Sequence, residues 1–182
     1  MATVVIGGQA RKVGKTSVIV GLIAALPDFR WTAVKVSGHE HGVPWGITEE
    51  RDRTGKGDTS RFLAAGAVRA LWVRADPGRL FEAALELKRE LGSANSIIES
   101  NSLARFLKPD VYLIVLDPRI EDFKASAREL LPSADAVIVH EYSGADLRFD
   151  KPVFRIAAPG YITTGIVEFV RAKIARGSAE SK

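Results

Sequence analysis

The sequence predicts a three-layer α/β/α domain built around a mostly parallel sheet. Three observations carry this prediction. Short, mainly apolar, β-branched runs recur along the chain, stretches of helical length separate them, and the first run feeds a glycine-rich turn that opens a helix. At 182 residues the chain has the size of one domain with a full core. Its 46% hydrophobic and 26% charged content is that of an ordinary globular protein and excludes disorder as the main state.

Taken in order, residues 3–6 (Thr-Val-Val-Ile) read as the first strand, ended by Gly7 and Gly8. Residues 15–26 read as a helix stopped by Pro27. The second strand is expected at 31–36 and the third at 68–73. Residues 80–91 place Leu80, Ala83, Ala84, Leu87 and Leu91 at helical spacing before Gly92. The runs 96–98, 111–116 and 136–139 are short and apolar, as strands buried in a parallel sheet are. A helix over 120–131 separates the last two, residues 152–156 add one more strand, and 164–175 form a closing helix. This makes a sheet of about seven strands, a single domain over 1–176 and a disordered tail over 177–182. The one long irregular stretch, 37–57, holds Gly38, Gly42, Pro44, Gly46, Gly55 and Gly57, and is expected to act as a switch or substrate loop.

Composition removes several classes of function. The chain has no cysteine, which excludes disulfides, zinc–thiolate sites and thiol catalysis. Its 26 basic and 22 acidic residues give a net charge of +4, spread along the chain. That balance allows an anionic ligand without demanding nucleic acid. Trp31, Trp45 and Trp72 form no basic–aromatic surface motif, so nucleic acid is not the expected partner. The longest apolar run, 18–26, is shorter than the roughly 20 residues a helix needs to span a bilayer. It follows a strand and a turn rather than a basic leader, so a cytoplasmic protein without a membrane partner is expected.

The chemistry is concentrated in residues 7–17, Gly-Gly-Gln-Ala-Arg-Lys-Val-Gly-Lys-Thr-Ser. A strand before and a helix after are the context of a phosphate-binding loop. Gly8 and Gly14 let backbone N–H groups, with those of Val13, Lys15, Thr16 and Ser17, converge on phosphate oxygens. Lys15 would sit between the terminal phosphates, and the Thr16 hydroxyl would reach a phosphate-bound Mg²⁺. The strict pattern wants glycine at position 9; Gln9 stands there, and Gly8 supplies the glycine one residue earlier. The enlarged loop adds Arg11 and Lys12, either solvated or in contact with a phosphate or a second anionic substrate.

Such a site needs carboxylates at neighbouring strand ends. Glu99 ends the 96–98 run, Asp58 opens a helical segment, and Asp117 ends the 111–116 run; they are expected in that order of importance. Asp58 could instead cap its helix, and Asp117, before Pro118, could end its strand. Glutamate is a poor turn former, which leaves Glu99 the strongest of the three. Lys35 interrupts an apolar strand and calls for an anionic partner unless it faces solvent on an edge. His39 and His41 lie two apart in the long loop without a third ligand, a weak metal signal, and His140 ends a strand.

These motifs, in this order, resemble the MobB family, accessory proteins of molybdopterin guanine dinucleotide biosynthesis. The resemblance rests on Gly8 and the Gly14-Lys-Thr-Ser run, Val34-Lys-Val36 with histidines following, Asp58-Thr-Ser with Ala64-Ala-Gly-Ala67 after it, and Ile97-Ile-Glu99. It covers about the first hundred residues. It implies a P-loop NTPase that binds GTP or ATP with Mg²⁺, held by Thr16, Glu99 and Asp58, together with a cofactor-biosynthesis enzyme as partner. Turnover is expected to be slow, since no arginine finger is supplied at a recognisable place, with Arg11 the candidate, and a homodimer is expected because related NTPases often complete their sites across an interface. The enlarged loop, with Val13 before Gly14-Lys-Thr, is similar to that of dethiobiotin synthetase, which implies an ATP-dependent kinase or ligase instead. A nucleotide-gated interaction module is the third reading. Glu99 is followed by Ser100-Asn101 where the MobB family has glycine. Ala10 stands where the dimeric MinD-like ATPases carry a lysine. With asparagine only at 95 and 101, no Asn-Lys-x-Asp guanine reader is present, and the nucleotide base stays open.

Overall fold

A computed structural model describes residues 1–38, 45–142 and 148–180, with the backbone alone over 178–180. His39 and His41 lie outside the described residues. Among the described residues the strands and α-helices follow in the order β1 (Thr3–Gly8), α1 (Lys15–Ala25), β2 (Thr32–Gly38), β3 (Gly46–Glu50), α2 (Asp58–Ala64), β4 (Arg69–Ala75), α3 (Leu80–Leu91), β5 (Ser96–Glu99), α4 (Ala104–Leu107), β6 (Val111–Leu116), α5 (Ala125–Leu130), β7 (Ala136–His140), β8 (Val153–Ile156) and α6 (Thr164–Glu180).

One eight-stranded sheet runs β3-β4-β2-β5-β1-β6-β7-β8. Every neighbour pairing is parallel except β3 with β4. Alternation along the strands sends side chains to two cores. Val4, Ile6, Leu113, Val115 and Ile138 face α1, α2 and α6, through Ile19, Leu22, Phe62, Ile166 and Val170. Val5, Val34, Leu71, Ile114 and Val137 face α3, α4 and α5, through Ala83, Leu87, Leu107, Ala127 and Leu130. Both faces are covered, which is why the strands read as nearly continuous apolar runs.

Several expectations change. The sheet has eight strands rather than seven, because residues 46–50, inside the stretch expected to be irregular, pair antiparallel with β4 from Gly46↔Arg74 to Glu50↔Ala70. The third strand begins one residue later than expected and continues to Ala75. The helix expected over 120–131 is confined to α5, with a turn of 3-10 helix at Leu131–Ser133. The one-turn α4 was not expected. The closing helix continues to Glu180, five residues past its expected end at Ala175. Among the described residues no helix is long and apolar enough to cross a membrane.

Candidate functional site

The centre of the sheet places the site. β1 lies between β5 and β6 and delivers residues 9–14 onto the C-terminal ends of all three strands, where open α/β sheets bind ligands. The loop turns back through two residues with positive φ, Lys12 at 60° and Gly14 at 91°. Gly14 is required there, because the φ is left-handed and an added Cβ would fall 2.8 Å from Cε1 of Tyr161. A Cβ on Gly8 would come within 2.7 Å of Val13 Cγ2 and 2.9 Å of Lys15 Cδ, so the strand end must be bare for Lys15 to fold over it.

Partners on both sides hold the loop. Asn101, just past β5, accepts a hydrogen bond from Gly8 N at 2.7 Å and donates one to Gly8 O at 2.8 Å. His140 at the end of β7 reaches the Val13 carbonyl through Nε2 at 3.0 Å. The Tyr161 ring packs edge-on against His140, with centroids 5.7 Å apart. Lys15 Nζ arches across the loop and donates to Ala10 O at 2.7 Å. Burial dominates its environment and, despite the attraction of Glu99, brings the ammonium down to about 8. Arg11 and Lys12 are exposed at the tip of the loop, and Ser17 Oγ takes a hydrogen bond from Arg61 Nη2 at 3.2 Å.

The acidic side is a connected chain. Thr16 Oγ1 donates to Glu99 Oε2 at 2.7 Å. Lys35 Nζ bridges Glu99 Oε1 at 2.5 Å and Asp58 Oδ2 at 2.7 Å. Burial would lower the Lys35 ammonium, but the charge of Glu99 and the bond to Asp58 outweigh it and hold it above its ordinary value. Burial would raise the Asp58 carboxyl, and Lys35, with Thr16 and Arg61, holds it below its ordinary value instead. Lys35 is not on an edge: β2 lies inside the sheet between β4 and β5. Asp58 is the first residue of α2 and Gly57 takes the cap position, so its carboxylate is left for Lys35.

Asp117, the third acidic expectation, belongs elsewhere. It is engaged twice by Arg119, at 2.8 and 2.7 Å, and its carboxyl is held low by that contact. Asn101, Arg61 and Tyr161 were not singled out from the sequence.

Lys15, Thr16, Ser17, Lys35, Asp58 and Glu99 line one cleft of about 1000 Å³, at the upper end of ligand-pocket sizes. Arg11 and Lys12 stand at its rim. The cleft continues past the loop to Val36, Ala75, Asp76, Pro77 and Leu80, at the ends of β2 and β4. Thr16, Glu99 and Asp58 present oxygen donors of the kind Mg²⁺ takes together with phosphate oxygens, and the Lys35 ammonium lies between the two carboxylates.

No family model matches the chain, and no curated protein matches it. Solved structures do. HypB from Helicobacter pylori, in complex with nickel, is 18% identical with a TM-score of 0.57, over 96% of this chain and 87% of that one. LpxK from Aquifex aeolicus, in complex with ATP, is 19% identical with a TM-score of 0.55, over 85% of this chain. The alignment spans 53% of the LpxK chain, about half its length. A MobB homologue from Bacillus stearothermophilus is 20% identical over the whole of both chains, with a TM-score of 0.49. The eight-stranded, mostly parallel sheet with helices on both faces matches HypB and LpxK, and the chain has the fold of the P-loop NTPases.

Proposed function

We propose that the chain binds a Mg²⁺–nucleoside triphosphate at residues 8–17 and cleaves its terminal phosphoryl group slowly. The observation that carries this reading is the chain of contacts from Thr16 through Glu99 and Lys35 to Asp58, set beside Lys15 in one cleft. Lys15 would leave the Ala10 carbonyl and neutralise the terminal phosphates. Thr16, Glu99 and Asp58 would hold Mg²⁺, which when bound supplies charge neutralisation at the phosphate oxygens. Lys35 ties both carboxylates together at the cleft, and Glu99 would order a water through the oxygen it shares with Thr16. Arg11 and Lys12 add positive charge at the open end.

The motif order of the first hundred residues supports a finer proposal. This is a cytoplasmic MobB-like GTP- or ATP-binding protein, acting as a homodimer with an enzyme of molybdopterin guanine dinucleotide formation. The extension of the cleft over the ends of β2 and β4 favours a second reading, a small-molecule kinase or ligase whose acceptor occupies that extension. Calorimetric titration with ATP, GTP and their diphosphates, with and without Mg²⁺, tests the shared core. Lys15→Ala should weaken triphosphate binding roughly ten- to hundred-fold, and unchanged affinity in a folded variant rejects the phosphate-loop assignment. Glu99→Gln should lower Mg²⁺-dependent turnover more than affinity. Nucleoside diphosphate release that requires a small-molecule acceptor would favour the second reading over the first.

A further inference from the structure

Gln9 stands where the phosphate-loop pattern expects glycine, and the structure shows what its side chain does. It is 4% exposed, and a primary amide buried that far is costly unless both its ends are paired. Gln9 Oε1 accepts from Asp117 N at 2.8 Å, and Nε2 donates to Ile120 O at 2.6 Å, with Asp122 O at 3.4 Å. Its main chain continues the same union: Gln9 N donates to Val115 O at 3.0 Å, and Gln9 O accepts from Lys124 N at 2.8 Å. One residue of the phosphate loop therefore binds the whole connection from β6 to α5.

This tether explains why the helix expected from residue 120 starts only at Ala125. The Ile120 and Asp122 carbonyls are turned toward Gln9 and cannot start a helical ladder. The tethered segment ends at Lys124, immediately before α5, and Lys124 and Ser126 line the same cleft as Lys15. Among the described residues no carboxylate is paired with Lys124. Its charge is also felt at Lys15, where it is one of the influences that lower that ammonium. Three side-chain and two backbone contacts of Gln9 thus bring Lys124, unpaired with any carboxylate among the described residues, to the mouth of the loop.

We propose that Lys124, positioned by Gln9, is a second cationic contact to the terminal phosphate of the bound nucleotide. The assignment rests on the nucleotide-binding reading above and extends it to the β6–α5 connection. Gln9 is a positioning residue that acts through Lys124 and through the path of the loop. A glycine at position 9 could not make these side-chain bonds, so the enlarged loop exchanges a flexible residue for a clamp.

The test compares dissociation constants for Mg²⁺–triphosphate and Mg²⁺–diphosphate, by calorimetry, for the wild-type chain, Lys124→Ala, Lys124→Arg, Gln9→Ala and the double variant. Lys124→Ala should weaken the triphosphate by about ten-fold and change the diphosphate by less than about two-fold, with Lys124→Arg restoring most of the difference. Gln9→Ala should lose the same discrimination, and add little to it in the Lys124→Ala background. A triphosphate-to-diphosphate ratio unchanged by Lys124→Ala overturns the assignment, as does an equal loss for both nucleotides. If Gln9→Ala fails to fold, the exposed Lys124 substitutions decide the matter alone. Absence of nucleotide binding by the wild-type chain overturns the phosphate-loop reading and this assignment with it; normal binding with an unchanged ratio overturns this assignment only.

Discussion

Lys35 and Glu99 are register partners on the adjacent parallel strands β2 and β5, and their side chains meet at 2.5 Å. Parallel in-register neighbours point to the same side of the sheet, so the strand pairing itself creates the ion pair. Glu99 is 4% exposed, and Lys35 is the cation that pairs with it. Lys35→Met should therefore destabilise the fold by about 3 kcal/mol, since it leaves a buried carboxylate without its ion-pair partner. The Lys35→Met, Glu99→Gln pair should lose less than the sum of its single changes. Urea unfolding of the four proteins checks this, and strictly additive losses would contradict the coupling.

Lys15 carries a second prediction, in pH. Its ammonium is brought down to about 8 by burial, and the phosphates require the charged form. Triphosphate affinity should be flat below that pH and fall as pH rises through it. Bound phosphate restores the proton, so binding near pH 8 should take up protons, seen as heats that depend on the ionisation enthalpy of the buffer. For the free protein the sign is opposite. Between about 8 and the unfolded value near 10.4 the folded state binds fewer protons, so the Lys15 contribution to stability rises with pH. Buffer-independent heats at pH 8 would show that Lys15 does not titrate on binding.

Gly14→Ala combines two faults, a φ of 91° and a Cβ 2.8 Å from the Tyr161 ring. The left-handed backbone alone costs about 1–2 kcal/mol for a non-glycine residue. Thermal unfolding should show a loss of that size or more. Tyr161→Ala in the same chain should recover only the steric share, and full recovery would mean that the backbone is not strained.

Asn101→Ala removes both hydrogen bonds that hold Gly8 and leaves a backbone N–H and C=O unpaired beneath the loop. A loss of about 2 kcal/mol is expected. Asn101→Asp keeps the acceptor for Gly8 N but puts a negative charge beside the phosphate loop. It should lower triphosphate affinity more than stability, and a variant that binds as the wild type does would remove Asn101 from the neighbourhood of the phosphates.

The parts of the site that could be read in the sequence are those whose chemistry conflicts with their surroundings. Lys35 breaks an apolar run, Glu99 follows one, and glycines flank a Lys-Thr pair at a helix start. Each conflict has a local signature. Asp117 has the same signature, yet Arg119 two residues on takes both of its oxygens, a contact that depends on the turn after β6. β3 was missed because Gly-Ile-Thr-Glu-Glu has little apolar pattern of its own; it is a strand because β4 offers it an edge. Lys124 had no signal either. Nothing near residue 124 in the chain tells that Gln9, 115 positions earlier, will hold it.

By itself the sequence determined the alternation of buried strands and helices, the enlarged glycine-flanked loop after the first strand, and the residue types that meet over that strand. Apolar periodicity and glycine placement are local, and the backbone responds to them wherever the segment ends up. The tertiary structure alone decided which carboxylates share Lys35, which strand closes the β4 edge, and which cation Gln9 brings to the cleft. These depend on strand order and register, which set neighbours many residues apart in the chain, and on the need of each buried polar group for a partner.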